Sequence, residues 1–319
     1  MKICVTGASG FIGKELCVQL LKKKYNVVAT VRNIKSSIFS LQKNLKISEI
    51  TNIDINCDWS EALSGINCII HCAARVHVMK ENEEDALEIY RKINVEGTRN
   101  LAEQAFRAGV KRLIFLSTIK VNGEKTSGSY FKNTDTPSPK DTYSISKWEA
   151  EKALQEISQK TGLEVVIVRV PMVYGKEVKG NFLRLLNIVA KGIPLPFSKV
   201  RNLRSFLGID NLIAFLIHCI DHPKASGQTF LLSDNEDIST CDLIKKLAKA
   251  MQKPPRLFPV PIFFLRFLGK VIGKSLEMDR ALNCLQIDSS YAYKFLGWKP
   301  TTSLNEGLFK TVQWYLNSK

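Results

Sequence analysis

The junction Ile3-Cys4-Val5-Thr6 into Gly7-Ala8-Ser9-Gly10-Phe11-Ile12-Gly13 limits the fold of this chain more than any other feature. A short apolar run meets three glycines spaced three apart, and the periodic segment Phe11–Lys24 follows. That order reads as strand, tight turn and helix. Gly7 permits the turn, Gly10 lets the backbone approach a pyrophosphate, and Gly13 lets the helix pack close to a sheet. Phosphates would then meet the free N–H groups and positive end of the helix. Gly7, Gly10, Phe11, Ile12 and Gly13 are therefore candidate dinucleotide contacts. The spacing is G-x-x-G-x-x-G rather than the commoner G-x-G-x-x-G, so its weight comes from its place between strand and helix.

The pattern continues through the first half. Apolar runs at Ile3–Thr6, Val27–Val31, Ile50–Ile55, Cys68–Cys72, Arg112–Ser117 and Val165–Val170 read as strands. Phe11–Lys24, Ile93–Ala108 and Ser144–Thr161 read as the helices between them. Strands alternating with helices of this length predict an α/β fold with a doubly wound parallel sheet. From Pro171 prolines and loop signals multiply, and helical stretches near 181–191, 210–221, 239–252 and 304–317 lack regular partner strands. The expected organisation is a dinucleotide-binding domain over 1–170 and a smaller C-terminal α/β substrate domain over 171–319. Segments near 203–220 are expected to return to the first domain.

Composition removes other classes. Lys and Arg outnumber Asp and Glu by 46 to 30, a formal charge of +16. The cations are scattered, and none of their runs is interleaved with aromatics, so the expectation is a solvated surface rather than a nucleic-acid interface. A mildly positive field also suits phosphorylated ligands. No signal-peptide pattern opens the sequence, and no apolar stretch reaches the ~18 residues of a membrane span. Leu257–Ile272 comes nearest, broken by Pro259, Pro261, Arg266 and Lys270. Its part Phe258–Leu268 is read as a packed helix of the second domain; lining an apolar pocket or touching a membrane are the alternatives. The eight cysteines form no C-x-x-C and no cluster with histidine, so neither metal nor disulfide is expected. The expected location is the cytosol.

Further cofactor contacts follow from the strand ends. The second strand ends Val31-Arg32-Asn33, without the carboxylate that would bind the ribose hydroxyls of NAD. Arg32 instead suits a 2′-phosphate, which favours NADP(H) among NAD(P)(H) cofactors. The other reading of Arg32 is an exposed cation stacked on the adenine. Asp54 and Ile55, at the end of the third strand, suit the adenine amino group and ring. Cys72, Ala73 and Ala74 are small enough to let the backbone lie against the nicotinamide ribose.

The chemistry resides at Thr118, Tyr143 and Lys147. Residues four apart on a helix share a face, so Tyr143 and Lys147 can enter one cleft. A neighbouring ammonium favours the phenolate and would tune the tyrosine as a general acid and base. The Thr118 hydroxyl would bond the same substrate oxygen.

With these motifs the chain resembles the extended short-chain dehydrogenases/reductases that act on nucleotide sugars. The resemblance runs through the glycine turn, Asp54, His71-Cys72-Ala73-Ala74, Asn94-Val95-Glu96-Gly97-Thr98, Thr118, Tyr143/Lys147, Arg169–Gly175, Gly180-Asn181-Phe182, Arg204-Ser205-Phe206 and Leu296–Pro300. It implies that Asn94 and Pro171 lie at the cofactor and Arg75 at the substrate. It also implies that Asn181 and Arg204, with Arg280 as a third candidate, hold the diphosphate of a UDP-sugar. Sugar 4,6-dehydratases resemble T-D-E where this chain has Thr118-Ile119-Lys120, so water elimination is not expected. Ala74-Arg75-Val76-His77-Val78, Ser117–Gly123 and Leu285–Asp288 resemble reductases of a UDP-4-keto-6-deoxy-N-acetylhexosamine, and 4-keto reduction is the leading expectation. A UDP-glucose or UDP-N-acetylglucosamine 4-epimerase with tightly bound NAD is the alternative. A hydroxysteroid-type dehydrogenase and a non-catalytic dinucleotide-binding regulator remain further ones. The resemblance also implies a homodimer built on the helices within 93–108 and 144–161.

Overall fold

The computed structural model describes residues 1–34, 43–75 and 83–318, the side chains of 83–85 excepted. Val76, His77 and Val78 of the resemblance motif lie outside the described residues. Strands β1 (Lys2–Thr6), β2 (Asn26–Val31), β3 (Leu45–Glu49), β4 (Cys68–His71), β5 (Arg112–Thr118) and β6 (Glu164–Val170) form the first part of the sheet. A short pair, β7 (Met172–Tyr174) and β8 (Phe206–Gly208), follows before β9 (Thr229–Leu231). The helices are α1 (Phe11–Lys22), α2 (Ser60–Leu63), α3 (Glu83–Tyr90), α4 (Gly97–Arg107), α5 (Thr142–Thr161) and α6 (Gly180–Ala190). They continue as α7 (Ile209–His218), α8 (Thr240–Ala250), α9 (Ile262–Val271), α10 (Ser275–Leu282), α11 (Ser290–Leu296) and α12 (Leu304–Asn317).

Seven strands pair in the order β3-β2-β1-β4-β5-β6-β9, all parallel. This is the doubly wound arrangement expected, flanked by helices on both faces. Alternate residues of each strand divide between two cores, as a pleat requires. Ile3, Val5 and Ile70 pack with Leu16, Leu20 and Leu212 on one face. Cys4, Ile69 and Phe115 pack with Leu101 and Leu154 on the other. A third cluster, with Phe182, Leu186, Leu247, Leu308 and Val312, joins α6, α8 and α12 beside the short pair.

Four expectations are corrected. The third strand is Leu45–Glu49, not Ile50–Ile55, because Lys46 and Glu49 make it an edge strand of mixed polarity that lacks an apolar run. Asp54 and Ile55 consequently lie in the loop beyond it. Partner strands also exist after Pro171: β9 extends the main sheet beside β6, and β7 pairs with β8. Each has three residues, too short to leave a periodic signal. The helix read within Phe258–Leu268 exists but packs along one edge alone. Only Leu265 and Gly269 of α9 are buried, while Phe263, Phe267 and Val271 are 73%, 61% and 65% exposed. A single helix over Ile93–Ala108 was also expected. Instead α3 passes through a π-helical stretch, Arg91–Glu96, into α4.

Candidate active site

The strand order reverses between β1 and β4, and in open α/β sheets ligands bind outside the carboxyl ends of strands at such a point. Both strands end there in small residues. Gly7 has φ +66°, and a Cβ on it would lie 2.9 Å from the backbone of Ala73. A Cβ on Gly13 would lie 2.3 Å from the Gly7 carbonyl oxygen. The glycines are thus required by close approach of three backbone segments. Gly10 begins α1 with no side-chain cap, so Phe11, Ile12 and Gly13 form a first turn whose N–H groups suit a diphosphate. Among the described residues, the cradle fits a dinucleotide.

The turn is braced from below. The Ala73 N–H donates to Thr6 Oγ1 (3.2 Å), and that hydroxyl is hydrogen-bonded to His71 Nδ1 (2.6 Å). His71 Nε2 is hydrogen-bonded in turn to Thr98 Oγ1 (3.1 Å). Burial, and secondly the Lys147 charge, push His71 down to about 3, so it stays neutral. Burial likewise pushes the Cys72 thiol up to about 12, against the pull of Lys147, which makes it unreactive at neutral pH. Cys72, Ala73 and Ala74 line the half-buried exit from β4.

Arg32 stands exposed just beyond β2. Asp54 borders a cleft of about 300 Å³ at the carboxyl end of β3, and Ile55 beside it is exposed. The Asp54 carboxylate accepts the Asn56 N–H (2.9 Å), and its carbonyl accepts from Asn100 (3.1 Å).

Helix α5 carries the reacting groups. Asp141 and Ser144 cap it reciprocally, and Lys120, two residues past Thr118, pairs with Asp141. The end of β5 is thereby tied to the turn that carries Tyr143. Burial opposes ionisation of Asp141, but the hydrogen bonds of Lys120 and Ser144 prevail and hold it below the usual carboxylate range. Lys147 lies one turn after Tyr143 and is fully buried, with Nζ 3.8 Å from the Phe115 ring centroid. Burial lowers it to about 7, with Glu151 and Cys72 resisting. Tyr143 departs from expectation: burial, then Asp141 and Tyr90, raise its phenol above the ordinary value. The Tyr90 ring meets it edge-on at 6.3 Å. In the chain alone desolvation outweighs any help from the ammonium, whose field falls on His71 and Cys72. Thr118 Oγ1 accepts from the Lys120 N–H (3.3 Å), which leaves its own hydrogen to donate.

Sequence reading missed what lies behind the pair. Glu151, one turn beyond Lys147, is wholly buried and bonds Ser117 Oγ (2.5 Å) and the Arg169 guanidinium (2.6 Å). Arg169 also reaches Asn122 (2.9 Å). The available signal was the spacing, since Glu151 continues the stripe of Tyr143 and Lys147. Asn94, assigned to the cofactor, is engaged within the chain. Its Oδ1 accepts the Arg75 N–H (2.8 Å), and its Nδ2 donates to the Arg75 carbonyl (3.1 Å) and Ser146 Oγ (3.0 Å). It fastens the β4 exit to α5 and so acts by positioning.

Of the substrate candidates, Arg204 and Arg280 come together. Burial, then Arg280, lower Arg204 to about 10, and among the described residues no carboxylate pairs with either. The Arg204 guanidinium donates to the Asn283 carbonyl (3.1 Å). Two guanidiniums gathered without an acid suit an anion. Asn181 is exposed in the first turn of α6, and no hydrogen bond joins it to them. Arg75 lies over the Tyr90 ring, 5.9 Å from its centroid, and Pro171 is buried after β6. A larger cleft, about 710 Å³, lies between residues 129–132 and 287–290 and includes none of these candidates.

Comparison with known proteins agrees with this geometry. The profile of the NAD dependent epimerase/dehydratase family matches residues 3–232. A Vibrio cholerae protein named UDP-glucose 4-epimerase is 44% identical, with 99% of this chain and 96% of that protein aligned. An Escherichia coli O157:H7 protein named N-acetyl-alpha-D-glucosaminyl-diphospho-ditrans,octacis-undecaprenol 4-epimerase is 26% identical over 98% of this chain and 94% of its own length. The solved UDP-glucuronic acid 4-epimerase from Bacillus cereus, in complex with UDP-glucuronic acid and NAD, superposes with TM-score 0.81 at 26% identity, covering all of both chains.

Proposed function

The chain belongs to the NAD dependent epimerase/dehydratase family, and we propose that it inverts carbon 4 of a UDP-sugar with NAD held throughout turnover. What supports this reading is the 44% identity to a protein named UDP-glucose 4-epimerase, together with Tyr143 and Lys147 one turn apart on α5 and the end of β5 at Thr118 tied to that helix through Lys120 and Asp141. That similarity supports the epimerase over the 4-keto reductase first expected.

Gly7, Gly10, Gly13 and the first turn of α1 would hold the diphosphate of the dinucleotide, with Asp54 and Ile55 at its adenine. Bound there, the dinucleotide supplies reversible hydride exchange with the sugar carbon. Tyr143 takes the proton of the 4-hydroxyl and later returns it to the oxygen on the opposite side. Thr118 donates to the same oxygen and fixes its position. Lys147, lowered by burial to about 7, stabilises the phenolate in its charged form and binds ribose hydroxyls. Arg204 and Arg280 hold the substrate diphosphate. Ile119 is buried among Leu231, Leu285 and Ile287, and Lys120 pairs with Asp141, so the two positions after Thr118 supply no acid to expel water.

A reductase using NADPH is the second reading, favoured by exposed Arg32 where an acid would suit NAD. A homodimer through α4 and α5 belongs to the same proposal. The test supplies UDP-glucose or UDP-N-acetylglucosamine without added cofactor. Formation of the 4-epimer, lost in Tyr143→Phe, supports the epimerase. Consumption of UDP-4-keto-6-deoxy-N-acetylglucosamine with NADPH, and no epimer, assigns the reductase.

A further inference from the structure

Helix α9 presents to solvent what a helix of a folded chain normally buries. Phe263, Phe267 and Val271 recur every four residues and so form one stripe on the side opposite Leu265 and Gly269. Phe264 (52% exposed) widens that stripe, and Ile272 (52%) is also exposed where the helix ends. Its rings cluster, with Phe264 at 6.4 Å from both Phe263 and Phe267. Apolar side chains this large and contiguous on a surface mark a contact with something apolar.

The charges beside the stripe indicate what that is. Arg266 and Lys270 repeat with the same four-residue spacing along the flank of the apolar stripe, and Lys274 follows, exposed, in the turn to α10. Across 253–274 the sequence holds the cations Lys253, Arg256, Arg266, Lys270 and Lys274 and no carboxylate. Arg266 is engaged by Asp279 of α10 (2.7 Å), and among the described residues Lys270 and Lys274 make no ion pair. A second copy would bring an identical cationic flank against this one, on chains that each carry +16. An anionic bilayer offers both an apolar depth for phenylalanines and phosphates for lysines. No helix among the described residues is long and apolar enough to cross a membrane. A short helix with adjoining aromatic and cationic stripes lies in the plane of the headgroups instead.

We propose that α9 docks this protein on the surface of an anionic phospholipid membrane. Phe263, Phe264, Phe267 and Val271 enter the acyl boundary, and Lys270 and Lys274 meet the headgroup phosphates. The arrangement bears on the site already described. Helix α10 packs on α9 through Met278, which lies where a Cβ on Gly269 would be 2.9 Å away, and α10 carries Arg280. The docking face and the candidate anion site therefore belong to one helical hairpin.

The inference does not depend on which sugar is turned over. Its test is flotation of the full-length protein with vesicles of phosphatidylcholine alone or with about 30% phosphatidylglycerol. Binding is expected to the anionic vesicles, at least tenfold weaker to the neutral ones, and reduced at high salt. Phe263→Glu with Phe267→Glu should abolish it, and Lys270→Glu with Lys274→Glu should weaken it tenfold or more. Neither pair should alter turnover of a soluble substrate or the melting temperature. Equal binding to neutral vesicles, or none to either, overturns the proposal. So does a sedimentation-velocity dimer that dissociates in Phe263→Glu/Phe267→Glu, because a second copy then covers the stripe.

Discussion

Replacing Lys147 by methionine is expected to stabilise the chain while abolishing its turnover. The side chain is fully buried and its amine is lowered from 10.5 to about 7. At about 1.4 kcal/mol per tenfold change, that fall makes the buried ammonium cost about 5 kcal/mol below pH 7. The Phe115 ring at 3.8 Å offsets roughly 1–2 kcal/mol of it. Methionine has nearly the same length and no charge, so the net gain should be about 3 kcal/mol, or roughly 4–5 °C in melting temperature for a chain of this length. The pH dependence follows from the sign of the shift. Below about 7 the lysine is charged in both the folded and the unfolded chain, and its full cost is present. Between about 7 and 10.5 only the unfolded chain holds the proton, so wild-type stability rises with pH and the advantage of methionine shrinks. Urea unfolding at pH 6 and pH 9.5, on protein freed of dinucleotide, measures both quantities. A methionine variant no more stable than wild type at pH 6, or an advantage that does not decline by pH 9.5, refutes the reasoning.

Four other perturbations have defined outcomes. Glu151→Gln leaves Arg169 buried without its carboxylate and should cost about 3–5 kcal/mol in urea unfolding. It should also move the loss of activity caused by Lys147 deprotonation to lower pH, because Glu151 holds that proton on. Gly13→Ala forces a methyl against the Gly7 carbonyl and should cost about 1–3 kcal/mol together with dinucleotide affinity. Gly162→Ala, with φ +80° and open space, should cost about 1–2 kcal/mol and leave dinucleotide affinity unchanged, read by cofactor fluorescence. His71, lowered to about 3, contributes stability present above its unfolded value of 6.5 and lost as pH falls towards 3. Acid titration followed by circular dichroism should show the wild type losing more stability across that window than His71→Gln.

The glycine turn and the Tyr143/Lys147 spacing were legible because each rests on local geometry. Only glycine serves where Ala73 approaches Gly7, and four residues always return to one helix face. The sheet was legible for the same reason, through strands buried on both sides. β3 was misplaced because an edge strand alternates weakly, and β7 to β9 were missed because three residues carry no period. The elevation of Tyr143 and the depression of Lys147 depend on how deeply α5 sinks against Phe115, which no spacing records. Asn94 carries the right residue type for a ligand, but the chain's own β4 exit already uses its amide. The exposure of Phe263 and Phe267 was least legible. Their sequence resembles any core helix, and only the fold reveals that no described residue covers them.

The most direct test of the central claim supplies UDP-glucose deuterated at carbon 4, with no added cofactor, and follows the product by NMR. The account predicts UDP-galactose retaining deuterium at carbon 4, because the same hydride leaves and returns within one site. Tyr143→Phe should lower that rate by about 10²–10⁴-fold while keeping its dinucleotide. Loss of deuterium to solvent in the product, or undiminished turnover by Tyr143→Phe, would contradict it.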